Sequence, residues 1–207
     1  MALAWPKVEI GPGELGPCEF KSLGLELLRN ELREDRKYHV LDLGNAQGPN
    51  VEFFSRVSSR IHVEDLYHVW STLPVRDEEA PPFSSADLEA LLTHDRSIEF
   101  DLILGWDLFD YFDADFIAAL TSHLKRHCRK GALLFMLTST RREIPETPAR
   151  LVITEDENLL YAPRTSNTVD NPNHTPLAFE KMMRGFHLLH SFMLKNGMQE
   201  YVFASAD

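Results

Sequence analysis

Residues 38–54, YHVLDLGNAQGPNVEFF, leave the chain few structural choices. YHVLDLG is a short apolar run, apolar on both faces, as suits a strand buried inside a parallel sheet. It ends on Asp42 and runs into a glycine-rich turn. Pro49 suits the first turn of a following helix, because its missing N–H would be unpaired there anyway. VEFFSRVSS continues as that helix, and RIHVEDL reads as a second strand ending in acid. Strand, turn, helix and strand in this order make a crossover unit, which requires a parallel pair.

The same alternation recurs downstream. FDLILGWD contains a buried strand from Phe100 to Gly105. DADFIAALTSHLKRHCRKG is a helix begun by Asp113 or Asp115 and ended by Gly131, with Phe116, Ile117, Leu120 and Leu124 facing the core. ALLFMLTS is another buried strand. Upstream, residues 19–35 place Phe20, Leu23, Leu27, Leu28 and Leu32 on one helical face. PLAFEKMMRGF is a short helix, and HLLHSFMLKNGMQEYVFAS is a β-hairpin turning at Asn196-Gly197. The pattern predicts an open α/β sheet, mostly parallel, closed by a C-terminal antiparallel hairpin.

Two stretches resist this reading. PVRDEEAPP is a loop, and FSSADLEALLTHDRS is either a helix capped by Ser84 or Ser85 or a very short strand through Asp87 followed by a helix. The strand is the expectation here, because the sheet pattern needs one. Residues 139–176 carry five prolines, and RLVIT and NLLYA flank a polar turn. They predict a small excursion, a hairpin projecting from the sheet, within a single domain over 1–207. It serves as a substrate lid or as a protein-partner surface.

A net charge of −11 argues against nucleic acid as the main partner. The local cations Lys125, Arg126, Arg129 and Lys130 read as a helix C-terminus complementing its dipole. No apolar run approaches the ~18 residues needed to cross a bilayer. The N-terminal residues lack the pattern of a signal peptide. Cys18 and Cys128 have no metal-ligand spacing and make a disulfide scaffold a poor reading. The expectation is a cytoplasmic protein. His123 and His127 share a helical face, but no Glu completes a metal motif, so no metal is expected.

The chain resembles the class I methyltransferases that use S-adenosylmethionine. Their first motif, a strand ending in acid and then G-x-G-x-G, is matched by Asp42, Gly44, Ala46 and Gly48, with alanine at the middle glycine. FDLILGWD, KGALLFMLTS and RGFHLLHSFMLKNGMQEYVF resemble the family's fourth strand, fifth strand and closing hairpin. The resemblance spans roughly residues 20–138 and 177–205. It implies S-adenosylmethionine as cofactor, held by Asp42, Gly44, Asn45, Ala46, Gly48 and Asn50 around the turn. It further implies an acid at the tip of the second strand for the ribose hydroxyls. Glu64 and Asp65 compete for that role, and the family's spacing favours Asp65. Asp87 falls where a third-strand acid contacts the adenine amine.

The ligand's chemistry agrees. S-adenosylmethionine has a carboxylate, an ammonium, a sulfonium and ribose hydroxyls but no phosphate, so a glycine turn, a helix N-terminus and a strand-tip acid suit it. A dinucleotide motif would need Pro49 as its last glycine. Asp42 has a second reading, as a hydrogen-bond acceptor for its own turn. Trp106 and Asp107 rim the expected pocket, either against the ligand and a nucleophile, with Asp107 the candidate proton acceptor, or as core filler and helix cap. The expected function is therefore methyl transfer to a small molecule or a protein side chain. The alternative is an inactive relative that binds the nucleoside or a partner.

Overall fold

Asp42 closes a strand, β2 (Tyr38–Asp42), that is hydrogen-bonded to parallel neighbours on both sides. On one side lies β3 (Ser59–Val63), and on the other β4 (Phe100–Trp106), every residue of which is buried. Parallel β5 (Cys128–Ser139) follows, then antiparallel β11 (Met198–Ser205) and β10 (Phe186–Met193), giving the order β10-β11-β5-β4-β2-β3. Gly197 turns the final hairpin at φ +78°. The computed structural model describes residues 16–33, 35–57, 59–74 and 81–206. Residues 75–80 of the loop expected over 74–82, and residues 1–15 of the N-terminal stretch read over 1–17, lie outside the described residues.

From Leu102 to Leu104 the side chains of β4 alternate between two cores. Leu102, Leu104 and Trp106 enter one, with Val40 and Phe135, while Ile103 enters the other with Leu41 and Leu134. Against the first core pack α1 (Leu23–Glu31) and α2 (Gly48–Ser55). The second core is covered by α3 (Leu66–Ser71), α4 (Ser85–Leu91), α5 (Ala114–Lys125) and α6 (Pro176–Met182). Asp113 caps α5 by accepting from the Phe116 amide at 2.7 Å, one of the two starts expected from sequence, and Asp115 lies in the first turn.

The structure departs from the sequence reading in four places. First, the helix expected over 19–35 begins only at Leu23, because the Ser22 hydroxyl caps it by accepting from the Leu25 amide. Before it, β1 (Cys18–Phe20) is a strand, and the buried face is Leu25 and Leu28 while Leu23 is exposed. Second, Gly131 does not end α5. It lies inside β5 at φ +74°, where the pairing with β4 slips from Cys128 to Leu133 over two residues of β4.

Third, Asp87 is not on a strand, and no strand occurs between β3 and β4 among the described residues. The Ser84 hydroxyl accepts from the Asp87 amide, and the Asp87 carboxylate accepts from the Ser84 amide at 2.7 Å. This capping box starts α4, and FSSADLEAL has no β-branched residue to oppose it. Fourth, the 139–176 segment does not project from the sheet. Its hairpin, β7 (Arg150–Ile153) and β8 (Leu159–Ala162), forms a three-stranded sheet with β1, and Leu151, Ile153, Leu159 and Tyr161 are buried in the first core. A second ribbon pairs β6 (Glu143–Pro145) with β9 (Thr168–Asp170).

Candidate active site

β2 sends its helical crossover to β3 on one side, while β4 lies on the other. That reversal opens a crevice at the C-terminal ends of the strands, the place where open α/β sheets bind ligands. A cleft of about 300 Å³ occupies it. One wall is Gly44, Asn45 and Gln47 after β2, with Asp65, Tyr67, His68 and Ser71 after β3. The other is Trp106, Asp107 and Leu108 after β4, and residues 147–151 with Arg164 roof it from the β7–β8 hairpin.

Asp42 does not line this cleft. It is buried, and its Oδ1 accepts from the Gly44 amide at 2.9 Å and the Trp106 indole Nε1 at 2.6 Å. Burial pushes its carboxyl up to about 6, against the pull of those two donors. The acid therefore staples the turn to the end of β4. A Cβ on Gly44 would stand 2.6 Å from Trp106 Cδ1, so only glycine lets the indole lie there. Trp106 itself has φ +49°, a conformation that costs a bulky residue about 1–2 kcal/mol, offset by the indole bond to Asp42.

The middle position of the motif is less demanding. Ala46 is exposed, is absent from the positive-φ residues and does not line the cleft. Gly48 opens α2 with open space where a Cβ would be, and it too stands off the cleft. Asn50 is buried and occupied elsewhere. Its Nδ2 donates to the Leu151 carbonyl at 2.9 Å, and its Oδ1 accepts from the Ile153 amide at 2.8 Å, pinning β7 to α2. Of the turn residues expected to hold a ligand, the structure brings Gly44 and Asn45 to the cleft and gives Asp42 and Asn50 structural work.

The two strand-tip acids separate cleanly. Glu64 is buried and accepts from the Thr93 amide and hydroxyl and from His94 Nδ1 at 3.1 Å. Burial alone would raise its carboxyl, but the hydrogen bonds from His94 and Thr93 outweigh it and hold the group below its usual range. Asp65, at φ +40°, turns the other way into the cleft, where its Oδ2 accepts from Asn45 Nδ2 at 2.8 Å. Asp87, engaged in its capping box, is on a different surface with Val69, Leu73 and Phe83.

Asp107 is the buried acid of the opposite wall. Its Oδ2 accepts from the Ala149 amide at 2.8 Å, and its Oδ1 has no hydrogen-bond partner among the described residues. Burial pushes this carboxyl up to about 7, countered by the Ala149 amide, its own backbone amide and the Arg164 charge. Asp110 behind it accepts from the Ser139 amide at 2.7 Å and is also raised well above its usual range by burial. Tyr111 donates to the Pro145 carbonyl at 3.0 Å and packs edge-on against Tyr67, which lines the cleft.

Sequence reasoning missed Gln47, Leu108, the three α3 residues and the roof residues. The α3 helix is only six residues long, too short for a periodic signal. The roof residues reach the cleft through tertiary contacts alone.

No protein-family model and no curated protein matches the chain. Solved structures do. An amino pentose methyltransferase from Micromonospora echinaspora, solved with S-adenosylmethionine bound, is 12% identical over 88% of this chain and 90% of its own, with TM-score 0.51. An S-adenosylmethionine-dependent methyltransferase from Mesorhizobium loti is 12% identical over 86% and 96%, with TM-score 0.50. A structure from echinomycin biosynthesis is 16% identical over 88% and 80%, with TM-score 0.51. The chain has the class I methyltransferase fold, a mostly parallel sheet closed by a C-terminal antiparallel hairpin.

Proposed function

We propose that the chain is an S-adenosylmethionine-dependent methyltransferase acting on a small molecule. The observation that carries this is the cleft at the reversal of strand order, with the Asp65 carboxylate on one wall and the unpartnered Asp107 oxygen on the other. The residues fit the cofactor: Asp65 accepts from paired hydroxyls, and the Gly44–Gln47 backbone ahead of α2 suits a carboxylate. When bound, S-adenosylmethionine supplies an electrophilic methyl group on a sulfonium. Leu108, Ala149 and Leu151 exclude water, and Asp107 Oδ1 accepts the proton of an incoming hydroxyl or amine. The hairpin roof favours a small acceptor over a protein side chain.

Calorimetric titration with S-adenosylmethionine and S-adenosylhomocysteine tests the reading. Both should bind, and saturation at ~100 times the dissociation constant should stabilise the fold by about 2.7 kcal/mol. Asp65→Ala should weaken both roughly 10- to 150-fold, the worth of charged hydrogen bonds. No heat and no stabilisation with either nucleoside, in folded protein, would falsify it. The missing third strand among the described residues favours the second reading, a protein that binds the nucleoside or a partner without turnover. Radiolabelled methyl transfer into the small-molecule pool of a cell extract separates the two.

A further inference from the structure

Two arginines stand at the same end of the roof hairpin. Arg150 is opposite Ala162 in the strand register, and Arg164 follows two residues later. Both are exposed and both line the cleft. Neither guanidinium forms an ion pair among the described residues, although other arginines do. The chain holds 32 Asp and Glu against 21 Lys and Arg, so carboxylates for pairing are plentiful. Two forked cations without an ion pair among the described residues, on one wall of a cleft, make a receptor for an anion.

Asp107 ties this pair to the acceptor side. The amide that holds its Oδ2 belongs to Ala149, the residue before Arg150, and the Arg164 charge acts on its carboxyl. Its free Oδ1, on a residue only 3% exposed, is an acceptor awaiting a donor. The cofactor's own carboxylate is provided for on the opposite wall, at the Gly44–Gln47 turn ahead of α2.

We infer that the methyl acceptor is a small acid, whose anionic group lies on Arg150 and Arg164 and whose hydroxyl or amine donates to Asp107 Oδ1. This rests on the methyltransferase reading and names its substrate class. A neutral molecule of the same shape leaves both guanidinium groups solvated and gains only the Asp107 contact. A cation is repelled by both.

The test is calorimetric titration of the full chain, saturated with S-adenosylhomocysteine, with a panel of hydroxy and amino acids that includes 4-hydroxybenzoate, 4-aminobenzoate and salicylate. Each is set against its neutral amide. At least one acid should bind tighter than its amide by roughly tenfold or more, the effect of one charge-assisted bond. In the R150Q/R164Q double variant that preference should fall to within about twofold, with S-adenosylhomocysteine affinity unchanged. Both arginines are exposed, so the variant is expected to fold, and near-ultraviolet circular dichroism checks it. The idea is sunk if no acid outbinds its amide, or if the preference survives in the double variant. It is equally sunk if the double variant loses S-adenosylhomocysteine instead, since the arginines then serve the cofactor. Should the nucleoside not bind at all, the methyltransferase reading fails, and the acid–amide comparison on the unliganded chain still reads the arginine site.

Discussion

Gly44 and Ala46 sit two residues apart in one motif under opposite constraints. A methyl group on Gly44 meets the buried Trp106 ring at 2.6 Å, whereas Ala46 is exposed and free of positive φ. Gly44→Ala should therefore cost about 1–3 kcal/mol in urea unfolding, as overpacking does. Ala46→Gly should shift stability by no more than about 1 kcal/mol, through backbone entropy alone. Equal effects would contradict the assignment of the tight position. Asp107 gives the pH prediction. Its carboxyl is raised from 3.8 to about 7, so the folded state keeps a proton that the unfolded chain releases. Its contribution is full below about pH 4 and is lost as pH rises towards 7. Arg164, Asp110, Tyr111 and Tyr161 are the charged and titratable groups that couple to it, and they remain in Asp107→Asn. That variant should lose less stability between pH 5 and 8 than the wild type, by on the order of a few kcal/mol. Methyl transfer should rise with pH to a plateau above about 7 in the wild type and fall roughly 10²–10⁴-fold in Asp107→Asn, whose profile loses that step. Unchanged pH curves for both stability and rate would remove Asp107 from the mechanism.

At the scale of elements, the roof depends on one side chain. Asn50 fills both hydrogen-bonding ends with β7 backbone, at the Leu151 carbonyl and the Ile153 amide. Asn50→Leu keeps the volume and strands both groups, each costing about 1–3 kcal/mol when buried without a partner. Hydrogen exchange should quicken at Ile153, and acceptor binding should weaken because Arg150 and Leu151 ride on the same strand. Unchanged exchange at Ile153 would mean that β7 is held by packing alone. The buried strands β4 and β5 were legible from sequence because each holds a continuous apolar run bounded by turn residues, β3 by its place after the crossover helix, and Asp113 was one of two legible caps. The strand β1 was not legible. Its partner β8 lies some 140 residues away, as in the Cys18–Tyr161 pairing, and no local pattern encodes that choice. Asp87 misled for the converse reason: a local capping box overrode a strand inferred from the global pattern. Within the site, Asp65, Gly44, Asn45, Trp106 and Asp107 could be read from motif spacing. Arg150 and Arg164 acquire meaning only when the hairpin folds over the strand ends.

Over the whole molecule, one sheet separates two cores, and the hairpin is part of one of them. Leu151, Ile153, Leu159 and Tyr161 are each no more than 5% exposed and pack with Val40, Leu104 and Phe135 of the central strands. Burying such side chains contributes about 1.5–3 kcal/mol each, so releasing all four costs roughly 6–12 kcal/mol before the entropy regained. A whole domain of this size is typically stable by only about 5–15 kcal/mol. The hairpin therefore cannot swing open as an independent lid at small cost, and opening it approaches global unfolding. Hydrogen exchange should report this directly. Amides in peptides covering 150–162 should show opening free energies within about 2 kcal/mol of those covering 38–43, because both lie in the same cooperative unit. S-adenosylhomocysteine, which binds between them under the proposed function, should raise both by the same amount, about 2.7 kcal/mol at 100 times its dissociation constant. If the hairpin peptides exchange several kcal/mol more readily and the ligand protects them alone, the roof is a separate gate, and acceptor entry proceeds by opening it. If both sets move together, ligands enter between the fixed strand ends and the roof, and selectivity rests on the side chains already standing there: Asp65, Asp107, Arg150 and Arg164.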